Sequence, residues 1–339
     1  MSIMQVFCTI ADVIEALDIP GEKESILRRH VWASSEFLAK EIGWFVPVTS
    51  TFKVDGSGTD SLIIPPILDL TNITHDGIAL TSNDYLLYPS GREWLNGPYS
   101  WIKTAEGGKI IAWQDESQVV EITARRGLYD LVGLTGTALN SQQLIGDVEI
   151  TVKNGSIISP GLIIKIDNEQ QLVDATNSPV SSGTTNAVAI APSDDEITLT
   201  DDTKVAKGET IRIDFEEMKI IDKNTTTHKC KVGRGWNKTQ KTTHVITTGI
   251  DVYRKFQVIR AINGTTAAAH ADAAPISYYQ MPADLGFLAR EIAGLMLKKE
   301  QSGYAGRTGN VDLGTVFYND MIPRDDLARI KKLYTIKGK

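Results

Sequence analysis

Sliding the sequence against itself exposes an internal repeat that comes in two halves, and this repeat constrains the fold more than any other feature. In the first half, Glu149-Ile150-Thr151-Val152, Gly161, Ile164-Lys165-Ile166-Asp167 and Glu169 match Glu196-Ile197-Thr198-Leu199, Gly208, Ile211-Arg212-Ile213-Asp214 and Glu216, at a constant separation of 47 residues. In the second, Val232, Arg234, Asn237, Thr239 and His244 match Val258, Arg260, Asn263, Thr265 and His270, at a separation of 26. The chain order is first half, first half, second half, second half. A small β-module opened in its middle to admit a copy of itself accounts for that order. The inner copy is expected over about 194–253 and the outer copy over about 148–174 plus 255–278, with SPVSSGTTN from Ser178 as the joining loop. Two similar barrels or sandwiches side by side are predicted.

Within each copy the matched residues read as structural. Gly161 and Gly208 stand at a turn where positive φ or close backbone approach is cheap only for glycine. The Ile-x-Ile pair fills the core while Lys165 or Arg212 points outward. Asn-x-Thr at Asn237 and Asn263 bonds its own backbone in a tight loop, which His244 and His270 are expected to cap. The acids Asp194, Asp195 and Glu196 at a strand start read as a solvated edge that discourages further pairing.

The flanks have a different texture. Thr9 with Asp12 is an N-terminal capping pattern, and Ala11 to Leu17 continues as a short helix until Ile19-Pro20-Gly21. Leu27, Val31, Ser34, Leu38 and Ile42 recur at helical spacing, predicting a helix over about 22–42 that Gly43 ends. From Pro47 to Tyr129, short runs rich in Ile, Val, Thr, Tyr and Trp are punctuated by turn signals at Asp55, Pro65, His75 and Pro89. The clearest strand there is VVEITARRG, with Val120, Ile122 and Ala124 on one face. Beyond the module, Leu285, Leu288, Ile292, Leu295 and Met296 form one stripe of a helix over about 283–300, followed by a glycine-rich loop, QSGYAGRTGN. Pro323-Arg324-Asp325-Asp326 starts a last helix with an apolar edge of Leu327, Ile330 and Tyr334.

Composition sets the limits on chemistry. The 339 residues carry 35 Lys plus Arg against 42 Asp plus Glu, a net charge of -7, which is the wrong sign for a protein whose main task is neutralising phosphate. Cys8 and Cys230 belong to no metal or disulfide spacing, so a reducing compartment and no structural metal are expected. The first ten residues carry no secretory pattern, and no apolar run approaches the ~20 residues that span a bilayer, so a soluble chain without membrane contact is expected. No nucleophile with its base, metal cluster or phosphate loop stands out, so no catalytic residue, metal or cofactor is assigned.

Two basic stretches stand out against the acidic whole. Lys229, Lys231, Arg234, Lys238 and Lys241 surround Trp236 with no acid among them, the composition of a nucleic-acid or partner loop. The outer copy's equivalent loop lacks the lysines, which favours a wet hairpin. From Arg324 to Lys339, six basic residues face two acids, so this tail expects an acidic partner.

The N-terminal TIADV helix, LAKEIGW, FKVDGSGTDSLIIPPI, DYLLYP, VVEITARRGLYD and RAINGTTAAAHADAAPI, with the closing helices, resemble the head-to-tail connector (adaptor, or head-completion) proteins of tailed bacteriophages. The resemblance covers about 9–130 and 256–334; the nested copy departs from shorter family members. It implies an α+β subunit with a helical adaptor core. That core comprises 1–145 and 279–339, and the duplicated β-modules are inserted over 146–278. It further implies a homo-oligomeric ring, a dodecamer in the family's pattern, in the virion neck. The ring would bind the portal protein on one side and a neck, stopper or tail protein on the other, with DNA passing through its lumen unread. On this view Arg324, Arg329, Lys331, Lys332 and Tyr334 form the portal interface, and removing 323–339 abolishes docking while leaving a folded subunit. The runner-up reading is a virion-surface adhesion or carbohydrate-binding module, and an enzyme of unknown chemistry ranks third.

Overall fold

The computed structural model describes residues 3–17, 23–89, 98–128, 130–301, 307–310, 314–317 and 324–334. These form a mixed α+β fold with four helices and three six-stranded antiparallel sheets. The first helix, α1 (Ile10–Leu17), begins on a reciprocal cap: the Thr9 N–H donates to Asp12 Oδ2 at 2.6 Å and the Asp12 N–H to Thr9 Oγ1 at 3.2 Å. Its expected stop at 19–21 lies outside the described residues. In α2 (Glu24–Ile42) the predicted stripe of Leu27, Val31, Ser34, Leu38 and Ile42 is buried. Gly43 ends it at φ +89°, its N–H donating to the Ala39 carbonyl.

The first sheet contains β1 (Val48–Val54), β2 (Ser61–His75), β3 (Ile78–Ala79), β4 (Tyr85–Tyr88), β5 (Tyr99–Thr104) and β6 (Val120–Arg126), in the order β1-β6-β2-β5-β4, with β3 against β2. Val120, Ile122 and Ala124 are fully buried on one face of β6, as alternation demands. Pro65 and Pro66 donate no N–H, and the β2–β5 pairing shifts register between Ile63 and Ile67 around them.

The nested pair follows. Chain order gives β7 (Val132–Ala138), β8 (Glu149–Thr151), β9 (Ile163–Ile166), β10 (Glu169–Thr176), β11 (Val180–Thr185), β12 (Glu196–Thr198), β13 (Thr210–Ile213), β14 (Glu216–Asn224), β15 (Lys229–Trp236), β16 (Gly249–Val252), β17 (Lys255–Ile259) and β18 (Pro275–Tyr279). The outer sheet runs β7-β18-β9-β10-β17-β8 and the inner sheet β11-β16-β13-β14-β15-β12. Under the two repeat offsets these are the same order. Even the irregularities match: β10 shifts register between Val173 and Ala175, and β14 between Ile220 and Asp222.

Both modules begin earlier than the sequence suggested. The SPVSSGTTN stretch is not a joining loop, because most of it is β11, an edge strand of the inner sheet, and its counterpart β7 opens the outer sheet ahead of residue 146. An edge strand pairs on one side and meets water on the other, so Ser, Thr and Gly suffice there and a loop-like composition misleads. The joint between modules centres on Glu209, whose buried carboxylate accepts from Arg254 Nε and Nη2 (2.6 and 2.8 Å) and from the Gly155 N–H (2.8 Å). A Cβ at Gly155 would lie 2.3 Å from the Tyr253 carbonyl oxygen, so the approach requires glycine.

The chain then returns to helix in α3 (Ala283–Gln301). Part of the glycine-rich stretch is a strand rather than a loop: β19 (Arg307–Asn310) pairs with β20 (Gly314–Phe317). The last helix is α4 (Arg324–Tyr334). Residues from all four helices share one core, including Val13, Leu27, Leu38, Leu288, Ile292 and Ile330, and the outer module adds Ile163, Leu172 and Ile262 to it. The N- and C-terminal helices are thus packed together, with the β-modules inserted between them in sequence.

Candidate functional site

The repeated charged residues converge inside each module. In the inner copy Glu216, at the start of β14, is fully buried and accepts from Arg234 Nε (2.6 Å) and Nη2 (2.7 Å), from the Gly235 and Thr242 N–H groups (3.1 and 2.9 Å) and faces His244 Nε2 (3.0 Å). His244 Nδ1 lies 2.8 Å from Asp214 Oδ2. Both ring nitrogens therefore face carboxylate oxygens, and Asp214, His244, Glu216 and Arg234 form one continuous polar chain. The outer copy repeats it with Asp167, His270, Glu169 and Arg260, at 2.7 and 2.8 Å for the two histidine contacts and 2.9 and 2.6 Å for the arginine fork.

These histidines are not simple loop caps. His244 and His270 are buried inside the polar chains. The loop closure comes instead from Thr239 and Thr265, whose hydroxyls donate to the Trp236 and Ile262 carbonyls, each at 2.8 Å. Burial pushes the Glu216 carboxyl up, but the hydrogen bonds from Arg234, Thr242 and His244 outweigh it and hold its pKa at about 2. The same opposition leaves Glu169 below the ordinary carboxylate range, with Arg260, the Ala268 N–H and His270 overcoming burial. Depressed carboxyls stabilise the folded state above their unfolded pKa, and that contribution disappears as pH falls through the folded value. Urea midpoints should therefore drop as pH is lowered from about 5 towards 2, and the Glu216→Gln variant should show a shallower drop; equal slopes for wild type and variant would contradict this assignment.

The basic stretch of the inner module is divided by these contacts. Arg234 is consumed by Glu216, its side chain 2 % exposed, so it presents no guanidinium to a phosphate. Lys229 pairs with Glu196 at 2.6 Å. Lys231, Lys238 and Lys241 remain exposed, and Trp236 lies under the Lys219 ammonium, 5.8 Å from its ring centre. The six residues do not form one loop surface.

The tail residues divide likewise. Lys331 forms an ion pair with Glu41 of α2, and the Tyr334 hydroxyl donates to Asp284 Oδ1 at 2.8 Å while its ring meets Phe45 edge-on at 5.1 Å. These two side chains hold α4 to the rest of the chain. Arg329, 3.3 Å from Asp326, and Lys332 lie on the exposed side, as does Arg324.

Among the described residues no three His, Cys, Asp or Glu side chains converge as metal ligands, and no helix is long and apolar enough to cross a membrane. The chain matches no family model, no curated protein and no solved structure.

Proposed function

We propose that the chain is a structural subunit of a virion neck, forming a ring between a portal and the next neck or tail protein, with DNA passing through the lumen. The observation that carries this reading is the shared core of all four helices, which packs α1 and α2 with α3 and α4 and leaves the β-modules as an insertion between them in sequence. That is the division expected of a connector core with an elaborated insert. In α4, the exposed Arg329 and Lys332 offer a basic edge to an acidic partner, and the acidic remainder suits a lumen on which DNA slides. A surface adhesion module would instead place aromatic rings over a recess. One recess of about 410 Å³ beside β8, lined by Ser141, Gln143, Asp147, Val148, Glu149 and Lys255 among others, holds no aromatic ring.

Native mass spectrometry and class-averaged electron images of the protein, alone and mixed with a portal ring, test the reading. Rings, or ring formation on the portal, are expected; a chain that stays monomeric and ignores the portal would overturn it. The double variant Arg329→Glu, Lys332→Glu should weaken portal binding by about tenfold or more while leaving the melting temperature in place, because both side chains are exposed. Unchanged portal affinity in that variant would remove α4 from the interface.

A further inference from the structure

The duplication supplies its own control for surface use. In the outer module, Leu172 of β10 and Ile262, just after β17, join the helical core, and Ile259 packs against it. Arg28 of α2 reaches Asp174 on the same strand at 3.1 Å. That outward face is therefore an occupied docking face. The inner module has the same strands, but Leu172 is replaced by Lys219, Ile259 by Gly233, Ile262 by Trp236, Asp174 by Ile221 and Gln257 by Lys231. Ile221 is 48 % exposed, and Lys231 is exposed as well. With Lys241, whose side chain runs beside Gly235, the face carries three lysines, none in an ion pair among the described residues. An aromatic ring beneath the Lys219 ammonium, an exposed isoleucine and the two exposed lysines Lys231 and Lys241 make it complementary to an acidic surface with an apolar knob.

Such a surface exists on the same chain. At one end of the first sheet the Gly56 N–H donates to the Glu116 carbonyl, the Gln118 N–H to Asp55 Oδ1, and the Asp76 N–H to the Val119 carbonyl, gathering Asp55, Asp76 and Glu116. Asp115 joins them beside Gly58. All four acids are exposed and none is ion-paired among the described residues. Ile78, 52 % exposed, pairs with His75 across the turn that carries Asp76 and supplies an apolar knob.

We infer that the outward face of β14 and β15 receives the acidic end of the first sheet of a second copy, a head-to-tail contact between subunits. This rests on the ring reading and names the surfaces that would join its members: a patch meeting a different patch generates a ring when the rotation closes. Charge sets the pairing, so the contact weakens with salt.

Charge exchange tests it on the full-length chain. Lys231→Glu with Lys241→Glu makes both surfaces acidic, and Asp76→Lys with Glu116→Lys makes both basic; all four side chains are exposed, and circular dichroism and melting verify folding. By sedimentation velocity at about 50 mM and about 500 mM salt, wild type should self-associate more strongly at the lower salt. Each double variant alone should lose about tenfold or more in self-affinity, and an equimolar mixture of the two should restore association, because each acidic surface then meets a basic one. Variants that assemble like wild type, or a mixture that fails to recover, would overturn the contact while leaving the ring reading standing. Wild type that remains monomeric at low salt would also overturn it, and the portal-mixing experiment would then decide the ring reading separately. Binding of an oligo(dT) probe that is lost in Lys231→Glu, Lys241→Glu, without any self-association, would assign the face to nucleic acid instead.

Discussion

Replacing Arg234 by Met should destabilise the inner module by about 3–5 kcal/mol, the range for stripping one partner from a buried ion pair. The guanidinium is fully employed. Besides the fork onto Glu216, Nη1 donates to the Ala191 and Asp194 carbonyls at 2.7 and 3.1 Å, and Nη2 to the Thr242 carbonyl at 2.8 Å. Its removal leaves a buried carboxylate uncompensated and several carbonyls without their donor, while the two chain segments they belong to lose their common anchor. Lysine should rescue little, since a single ammonium cannot reproduce a planar fork and three further bonds. Arg260→Met should behave alike in the outer module, because the same cluster is built there. Urea unfolding of the full chain gives the measurement. In a double-mutant cycle, Glu216→Gln with Arg234→Met should cost clearly less than the sum of the single changes; additive losses, or a single loss below about 1 kcal/mol, would show that the cluster does not hold the module.

Ile330→Ala should cost about 2–5 kcal/mol, the usual loss for an isoleucine emptied from a closed core. Ile330 is the one fully buried residue of α4 and sits in the core shared by all four helices. For that reason removal of 323–339 is not the neutral truncation that a surface tail would permit. It takes away Ile330, the Lys331–Glu41 ion pair and the Tyr334 contacts with Phe45 and Asp284 together, and uncovers apolar surface of α2 and α3. The truncated chain should melt well below wild type, or fail to fold, irrespective of any partner. A truncation that melts with wild type would mean that α4 is an appendage, and the charge substitutions at Arg329 and Lys332 would then be unnecessary as the gentler probe.

Much of this architecture was legible because repetition is independent of propensity. Two offsets, 47 and 26, implied one module inside another, and both sheets have the same strand order. The helical stripe of α2 was equally readable, since a spacing of three and four can bury only one face; in α3 Leu285, Leu288 and Ile292 are buried as expected, whereas Leu295 and Met296 are half-buried and Ala289, Ala293 and Leu297 complete the buried face. Strands β7 and β11 were harder. Their polar composition is that of edge strands, and only the hydrogen bonds of Val180 to Val252 and its neighbours separate such a segment from a loop.

The charged cluster shows the limit most clearly. Asp167, Glu169, Arg260 and His270 and their inner counterparts were all visible as matched positions in one chain. Their number and identity followed from sequence alone. Their meeting did not: Glu169 and Arg260 are 91 residues apart, and only the pairing of β10 with β17 brings them within hydrogen-bonding distance. The same holds for the basic residues. Sequence counted Arg234 with Lys231 and Lys241, and Lys331 with Arg329, as members of one patch each. Tertiary structure separated them, because a charge acts according to its nearest partners and its exposure, and those are set by segments distant along the chain.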